Sequence, residues 1–273
     1  MSKDLLEPTD SQYLEIILNR IRACIDYQPA LGTRRKITWQ DFQQLYGSDP
    51  FYSWFGLDDP LMYAAHRAAG GMTSIYRQIG LGCEELFRQI LQDHLGLATA
   101  QVIWSYETGT GDRKRRFSLD GRIRLSDVAS ETRKALLGQW IVEAARRLGV
   151  TPEISGALEG IVFEIRQGYK SKDSKRQNAD LANAATAYTQ GYLPVLMVLS
   201  TQIDDDLVER YRHGRWFILQ GHLQDSSFDS TFAFMAQIVG YDLAGLFRRH
   251  SDTLRATVAE ILSALLQAGS VDG

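Results

Sequence analysis

Apolar residues recur at helical spacing through the first third of the chain. Over residues 13–27 they fall on one face of a 3.6-residue repeat, which predicts an amphipathic helix. A short helix is predicted over residues 38–46, with Thr38 as its N-cap and Gly47 just past its end. A third helical stretch covers residues 61–95, interrupted near Gly70–Gly71 and again at Gly80–Gly82.

In the middle of the chain, the pattern changes to short apolar runs of the kind that form strands. Residues 192–200 are almost continuously apolar, which is typical of a buried parallel strand. Residues 154–169 predict a strand, or a hairpin that turns near Gly156–Gly160. A helix is predicted between these two, over residues 173–190, and such a strand–helix–strand crossover implies parallel pairing. Further strands are predicted at 100–107, 117–125 and 215–220, and further helices at 127–148 (capped by Ser126 or Asp127), 232–238 and 243–267.

Together these elements predict an α/β protein with a central mixed sheet flanked by helices, and with extra helices at both ends. We expect residues 1–82 to form an N-terminal helical region packed on the core. Residues 83–273 are expected to contain the core and the C-terminal helices. The apolar face of the last helix serves either the core or an interface between two copies of the chain.

Composition narrows the classes of function. The net charge of −3 at pH 7 and the pI near 6.0 are not those of a generally basic nucleic-acid binder, so any such site is local. The two cysteines, Cys24 and Cys83, form no metal-binding pattern and are expected to be buried thiols. We find no signal peptide, no apolar run of membrane-spanning length and no GxxxxGK(S/T) motif. We therefore expect a soluble cytoplasmic protein, with no membrane partner and no nucleotide cofactor.

Charged and polar side chains are concentrated in residues 162–180. Glu164 lies within an apolar strand, where an unpaired carboxylate would cost several kcal/mol. Asp120 lies at a break in another predicted strand. Two carboxylates brought together from neighbouring strands repel each other unless a cation separates them, and oxygen ligands suit Mg²⁺. On a regular strand Glu164, Arg166 and Lys170 would share one face, which adds two cations able to hold a phosphate.

Asp120 and the tripeptide Glu164-Ile165-Arg166 resemble the acid and the acid-x-lysine of the PD-(D/E)xK nuclease superfamily. The order of elements over residues 83–200 resembles the shared core of that superfamily. Within it the chain is most similar to type II restriction endonucleases, and the run QGYKSKDSKRQNAD resembles ApaLI-like enzymes. The resemblance implies a restriction-endonuclease-like fold, Mg²⁺ held by Asp120 and Glu164, and a homodimer that hydrolyses double-stranded DNA at a short sequence. It also implies a catalytic role for Glu85, or its neighbour Glu84, as the acid on the first core helix.

Polar side chains continue past this strand into the next predicted helix. Lysine, arginine, glutamine and asparagine are the donors that contact phosphates and base edges in DNA. Charge runs also form solvated loops that lead into helices, and that alternative stays open. The predicted DNA-binding residues are Lys172, Asp173, Lys175, Arg176, Gln177 and Asn178.

The sequence departs from the superfamily pattern at two positions. Leu119 precedes Asp120 where proline is usual, which changes little. Arg166 replaces the lysine, and because arginine is always protonated it cannot act as a general base, although it can hold a phosphate with two hydrogen bonds. Lys170 is the alternative source of a lysine, and Glu153 is the alternative first acid.

Each of these features also has a structural explanation. Asp120 with Gly121 is a strong hairpin signal, and Glu164 could form a structural ion pair with Arg166 or Lys170. A chain that has lost the lysine could be a catalytically inactive DNA-binding protein of the same fold. If the polar run is only a solvated surface, the chain is an unrelated interaction protein. Metal binding separates the first alternative from a nuclease, and steep salt dependence of DNA binding argues against the second.

Overall fold

The computed structural model describes residues 10–32, 35–108, 114–168 and 174–267. In chain order its helices are α1 (Asp10–Arg22), α2 (Trp39–Gly47), α3 (Pro50–Trp54), α4 (Pro60–Leu95), α5 (Glu131–Arg147), α6 (Pro152–Gly156), α7 (Ser174–Thr189), α8 (Asp205–His213), α9 (Thr231–Phe234), α10 (Leu243–Arg249) and α11 (Ser251–Gln267). Its strands are β1 (Trp104–Thr108), β2 (Arg115–Leu119), β3 (Gly121–Arg124), β4 (Gly160–Arg166), β5 (Tyr192–Val198) and β6 (Phe217–Leu219). Among the described helices, none has the length and apolar character needed to cross a membrane.

The chain divides into two compact units by its internal packing. The sheet unit comprises Cys83–Arg248 together with the start of α1 up to Tyr13. The helical unit comprises Leu14–Gly82 and the residues from Arg249 onward. The expected division at residue 83 coincides with one of these boundaries, whereas α11 groups with the helical unit rather than with the sheet.

The sheet unit is built on a four-stranded mixed sheet in the order β3–β4–β5–β6. β3 pairs antiparallel with β4, while β5 pairs parallel with both β4 and β6. β1 and β2 form a separate antiparallel pair. The predicted α/β class with a mixed sheet flanked by helices is therefore confirmed, and so is the parallel crossover from β4 through α7 to β5.

The beginning of α5 differs from the prediction. A cap at Ser126 or Asp127 is wrong, because Leu125–Asp127 forms a single turn of 3-10 helix and the α-helix starts only at Glu131. Ser130 is the N-cap, and its hydroxyl accepts a backbone N–H from the first turn of α5. Ser126-Asp127 and Ser130-Glu131 are both a serine followed by an acid, and both are typical of a helix N-terminus. The local sequence therefore does not show which serine caps the helix.

The predicted hairpin near Gly156–Gly160 is also wrong. Pro152 opens the short helix α6, where its fixed φ suits the first helical turn and its missing N–H costs nothing. β4 then starts at Gly160, whose backbone approaches β3 so closely that a Cβ would overlap the carbonyl of Ile123. The glycine therefore permits close strand pairing rather than a turn.

Alternate residues of β4 face opposite sides of the sheet. Val162 packs into a buried apolar cluster with side chains of α7 and α8. Phe163, on the other face, contacts Phe87 of α4 with ring centroids 4.9 Å apart. Because strand side chains alternate with a period of two, Glu164 and Arg166 continue the row of Val162. The polar end of β4 therefore lies on the face that α7 and α8 cover.

Within the helical unit, the predicted cap of α2 is confirmed. Thr38 Oγ1 accepts the Asp41 N–H at 3.2 Å, and Asp41 Oδ2 accepts the Thr38 N–H at 3.2 Å, which is a reciprocal capping box. These hydrogen bonds to the ionised carboxylate hold the pKa of Asp41 below its usual value. Phe42 of this helix is completely buried beside Ile37 and Tyr63.

The predicted glycine breaks in α4 are wrong, since the helix runs unbroken from Pro60 to Leu95. A Cβ on Gly70 would overlap the phenol of Tyr27, and a Cβ on Gly71 would overlap Leu265. Inside the helical unit, these glycines therefore allow close side-chain contact. Glycine in a helix costs only about 1 kcal/mol relative to alanine, an amount that packing recovers.

Two glycine substitutions in α4 should have opposite effects on stability. We expect Gly71→Ala to lower the free energy of unfolding by about 1–3 kcal/mol, because its new methyl group overpacks against Leu265. Gly80→Ala is the matched control, since nothing lies within 4 Å of its Cβ position. It should raise the free energy of unfolding by up to about 1 kcal/mol. Urea unfolding followed by circular dichroism measures both, and equal shifts would contradict the packing explanation.

Both cysteines are buried free thiols, as predicted. Burial raises the pKa of the Cys83 thiol to about 12. The thiol therefore stays protonated near neutral pH and has little nucleophilic character.

Candidate active site

Asp120 lies at the kink between β2 and β3 and ends the ladder between β3 and β4. Its backbone N–H donates to the Phe163 carbonyl at 2.8 Å, and its Oδ2 accepts the Ile165 N–H at 2.8 Å. The carboxylate thus takes the place of a backbone partner for β4, at the residue next to Glu164. The hairpin explanation of the Asp-Gly pair is wrong, because β2 pairs with β1 and β3 pairs with β4.

Two residues of helix α4 also contact this kink. Arg88 Nη1 donates to the Asp120 carbonyl at 2.9 Å. A Cβ on Gly121 would lie 2.8 Å from the Phe87 ring, so glycine after Asp120 permits the close approach of the helix. Sequence reasoning missed Arg88, because a side chain that binds a distant backbone carbonyl leaves no local pattern.

The guanidinium of Arg166 lies near carboxylates from three parts of the chain. Its Nη2 forms an ion pair with Oε1 of Glu164, which precedes it by two positions on β4. Its Nη1 lies 3.8 Å from Asp120 Oδ2, and its Nη2 lies 3.8 Å from Asp180 Oδ2. The structure therefore brings Asp120 and Glu164 to one guanidinium. It adds Asp180 of α7, which the sequence pattern did not single out as a site residue.

Asp180 is held on two sides by buried aromatic residues. The Tyr211 hydroxyl of α8 donates to Asp180 Oδ2 at 2.5 Å, and Trp216 Nε1 donates to the Asp180 backbone carbonyl at 3.2 Å. Tyr211 and Trp216 are both completely buried. One turn further along α7, buried Asn183 accepts a hydrogen bond from Tyr106 at 2.6 Å. Asp180 and Asn183 are three positions apart, a spacing that places both on one face of α7 and could have identified them from the sequence.

The charges of this cluster are shielded from water. Side-chain exposure is 20% for Asp120, 7% for Glu164, 7% for Asp180 and 11% for Arg166. Three carboxyl groups from different parts of the chain therefore lie around one guanidinium, in a place that water reaches little.

The donor set suits a hard cation. Asp120 and Glu164 offer only oxygen, and Mg²⁺ is typically held by one or two carboxylates with waters and phosphate oxygens completing its octahedron. Within the described part of the chain, no group of three or more His, Cys, Asp or Glu side chains is placed to hold a metal ion. Asp120 and Glu164 are two carboxylates, which is the number that such a Mg²⁺ site takes from the protein.

Glu84 and Glu85 are half-buried on α4, one turn before Arg88. Residues three and four positions apart on a helix share a face, so both acids lie on the turn that precedes the contact with Asp120. The structure thus places the predicted acid of the first core helix on the same element that fixes the kink.

Glu153, the alternative first acid, makes its contacts within the start of α6. It is exposed in the first turn of α6. Hydrogen bonds from its own backbone N–H and from Thr151 lower the pKa of its carboxyl group. These are the contacts of a helix N-terminal acid. Of the two candidates, it is Asp120 that contacts Arg166.

The polar run after β4 is described only in part. Lys170, Lys172 and Asp173 lie outside the described residues. Lys175, Arg176, Gln177 and Asn178 belong to the first turns of α7, where the backbone but not the side chains is described. The assignment of this run to DNA binding stays a prediction, as does the role of Lys170.

The carboxylate of Asp120 accepts a hydrogen bond from β4, and two substitutions can separate this structural role from the effect of its charge. Asp120→Ala removes the acceptor for the Ile165 N–H, and we expect the free energy of unfolding to fall by about 1–3 kcal/mol. Asp120→Asn keeps a side-chain oxygen at this place and should cost clearly less. Urea unfolding of the two variants measures the difference. Equal losses would show that the carboxylate, rather than its role as an acceptor for β4, supports the kink.

No family model, curated protein or solved structure matches the chain.

Proposed function

We propose that the protein is a Mg²⁺-dependent endonuclease that hydrolyses phosphodiester bonds in double-stranded DNA, of the type II restriction class within the PD-(D/E)xK superfamily. The observation that carries this proposal is the meeting of Asp120 and Glu164 at the guanidinium of Arg166. The two acids come from a strand kink and from the adjacent strand, which resembles the placement of the acid and the acid-x-lysine in the superfamily motif.

The order of elements supports the finer fold assignment. A core helix (α4) precedes β1, β2 and β3, and the helices α5 and α6 are inserted before β4, which pairs antiparallel with β3; α7 then leads to the parallel strand β5. With the inserted helices set aside, this order resembles the helix–strands–helix–strand order of a restriction-endonuclease-like core. The first acid lies at the kink just before β3, the strand that pairs with β4, and the acid-x-basic pair lies on β4 itself.

Each residue of the cluster has a separate task in this mechanism. Asp120 and Glu164 would hold Mg²⁺, which supplies a Lewis acid for the phosphate and lowers the pKa of a bound water. Arg166 keeps its proton and can donate two hydrogen bonds to phosphate oxygens, so it stabilises charge rather than accepting a proton. The Ile165 N–H and Arg88 fix the orientation of Asp120. Such fixed donors and ligands cost no reorganisation when charge develops on the phosphate.

We further propose that two copies of the chain act together. One site of this kind cuts one strand, and a twofold dimer matches a DNA sequence with twofold symmetry, so that both strands are cut. Residues 172–178 would then contact phosphates and base edges beside the site.

The direct test is incubation of the purified protein with long duplex DNA, with Mg²⁺ in one series and EDTA in the other. We expect discrete fragments with Mg²⁺ and intact DNA with EDTA. Mapping the fragment ends would identify the recognised sequence and the cut position. Intact DNA in both series, over a range of Mg²⁺ concentration and pH, would refute the nuclease.

Arg166 favours one second candidate, a DNA-binding protein of the same fold without catalysis. An arginine at the lysine position cannot act as a base, and here it already contacts the carboxylates that would bind metal. This candidate predicts tight duplex binding that weakens steeply with salt, together with intact DNA. Weak binding that is insensitive to salt would instead favour an interaction protein unrelated to DNA.

A further inference from the structure

Asp180 has no role in the superfamily resemblance, yet it is one of the most constrained acids among the described residues. Its Oδ2 lies 3.8 Å from the same Arg166 nitrogen, Nη2, that pairs with Glu164. One guanidinium nitrogen therefore lies between two carboxylates, one on β4 and one on α7.

We propose that Asp180 is the positioning residue for Arg166: it takes over the guanidinium when Glu164 turns to the metal ion. This inference rests on the proposed function. Glu164 cannot give its full charge to both a divalent cation and Arg166, because the two cations repel each other at short range. A second carboxylate beside Nη2 removes this conflict, since a shift of about 1 Å brings 3.8 Å to charge-assisted hydrogen-bond distance.

Asp180 is suited to receive the guanidinium because Asp180 itself cannot move far. Tyr211 holds its carboxylate and Trp216 holds its backbone carbonyl, and both of these aromatic side chains are completely buried. The acceptor is thus fixed in place by packing, while the long side chain of Arg166 provides the movement. Arg166 would then lie beside the metal site, with Nη2 held by Asp180 and Nη1 left to donate to a phosphate oxygen.

The quantity that tests this role is the Mg²⁺ dissociation constant, measured by calorimetry on the full chain without DNA. Asp180→Asn should raise it about tenfold or more, because Arg166 then stays on Glu164 and competes with the metal. In an Arg166→Gln background there is no guanidinium to receive, so the same substitution should change the constant by less than about threefold. Circular dichroism of each variant checks that the fold is kept.

Tyr211→Phe provides a second, milder variant that keeps the buried ring. It removes the hydroxyl that fixes Asp180 and should also weaken Mg²⁺ binding, again only when Arg166 is present.

Glu209→Gln is the matched control for Asp180→Asn, because it also removes one negative charge. Glu209 lies on α8 just before Tyr211 but is 64% exposed, and its substitution should leave the constant unchanged.

The outcomes separate the two proposals. If Asp180→Asn weakens Mg²⁺ binding equally in both backgrounds, Asp180 is a metal ligand and the positioning role is overturned. If it has no effect while the wild-type protein binds Mg²⁺, the positioning role is overturned and the nuclease stands. If the wild-type protein binds no Mg²⁺ at all, the proposed function fails and the inference fails with it.

Discussion

Replacing Glu164 by glutamine should lower the rate of Mg²⁺-dependent DNA cleavage by about 100- to 1,000-fold. The amide has the size of the carboxylate but carries no charge, so it removes one of the two anionic ligands proposed for the metal ion. Losses of this size are typical when one preorganised group that stabilises transition-state charge is removed. The fold should persist, because Arg166 keeps Asp120 and Asp180 within 3.8 Å. Initial cleavage rates at saturating Mg²⁺ measure the effect.

Glu159→Gln is the matched control for this substitution. Glu159 directly precedes β4, is 57% exposed and pairs with Arg124 at 2.7 Å on the surface. An exposed ion pair of this kind contributes little to stability, so cleavage by the variant should equal that of the wild-type protein. If the two variants lost activity to the same extent, Glu164 would not belong to the catalytic site. If Glu164→Gln cleaved at the wild-type rate, the assignment of the metal site to Asp120 and Glu164 would be wrong.

Phe163→Ala should lower the free energy of unfolding of the sheet unit by about 3–5 kcal/mol. Phe163 is completely buried, and its ring contacts those of Phe87 and Phe234 at centroid distances of 4.9 and 5.9 Å. Truncation of a large buried aromatic side chain removes its apolar burial and leaves a cavity. Alanine keeps the backbone carbonyl that accepts the Asp120 N–H, so the predicted loss comes from the missing ring alone. Urea unfolding followed by circular dichroism measures it.

Two comparisons make this result specific. Phe163→Leu fills most of the same space and should cost less than about 1.5 kcal/mol. Phe51→Ala removes an equally large ring that is 59% exposed in the helical unit, and it should change stability by no more than about 0.5 kcal/mol. A Phe163→Ala variant as stable as Phe51→Ala would mean that β4 is not anchored on the α4 face of the sheet.

Both predictions concern β4, because this strand carries buried core residues and also the charged residues of the candidate site. Its odd-numbered residues, such as Phe163, bury apolar surface on one face of the sheet. Its even-numbered residues change from Val162 to Glu164 and Arg166 along the other face. The strand is therefore stabilised on one side while it presents charged groups on the other, at the end where α7 supplies Asp180.

Elements with a local signal could be predicted from the amino-acid sequence alone. The Thr38 cap, the parallel pairing of β4 and β5 through α7, and the buried thiols follow from spacing and residue type over a few positions or one crossover. The sequence also pointed to Glu164 and Arg166, because a charged pair inside an apolar strand is visible without any knowledge of the fold.

Which distant groups meet at that pair depends on the tertiary fold. Asp120, Asp180 and Arg88 come from three other parts of the chain, and their contacts depend on strand register and on which helix covers which face. The same holds for Gly70 and Gly71, which sequence patterns interpret as helix breaks and which packing explains as close contacts. Local propensities differ by about 1 kcal/mol or less per residue, whereas burial and charge pairing across the sheet involve several kcal/mol. Long-range contacts therefore override local preference, and they are what assembles the candidate site.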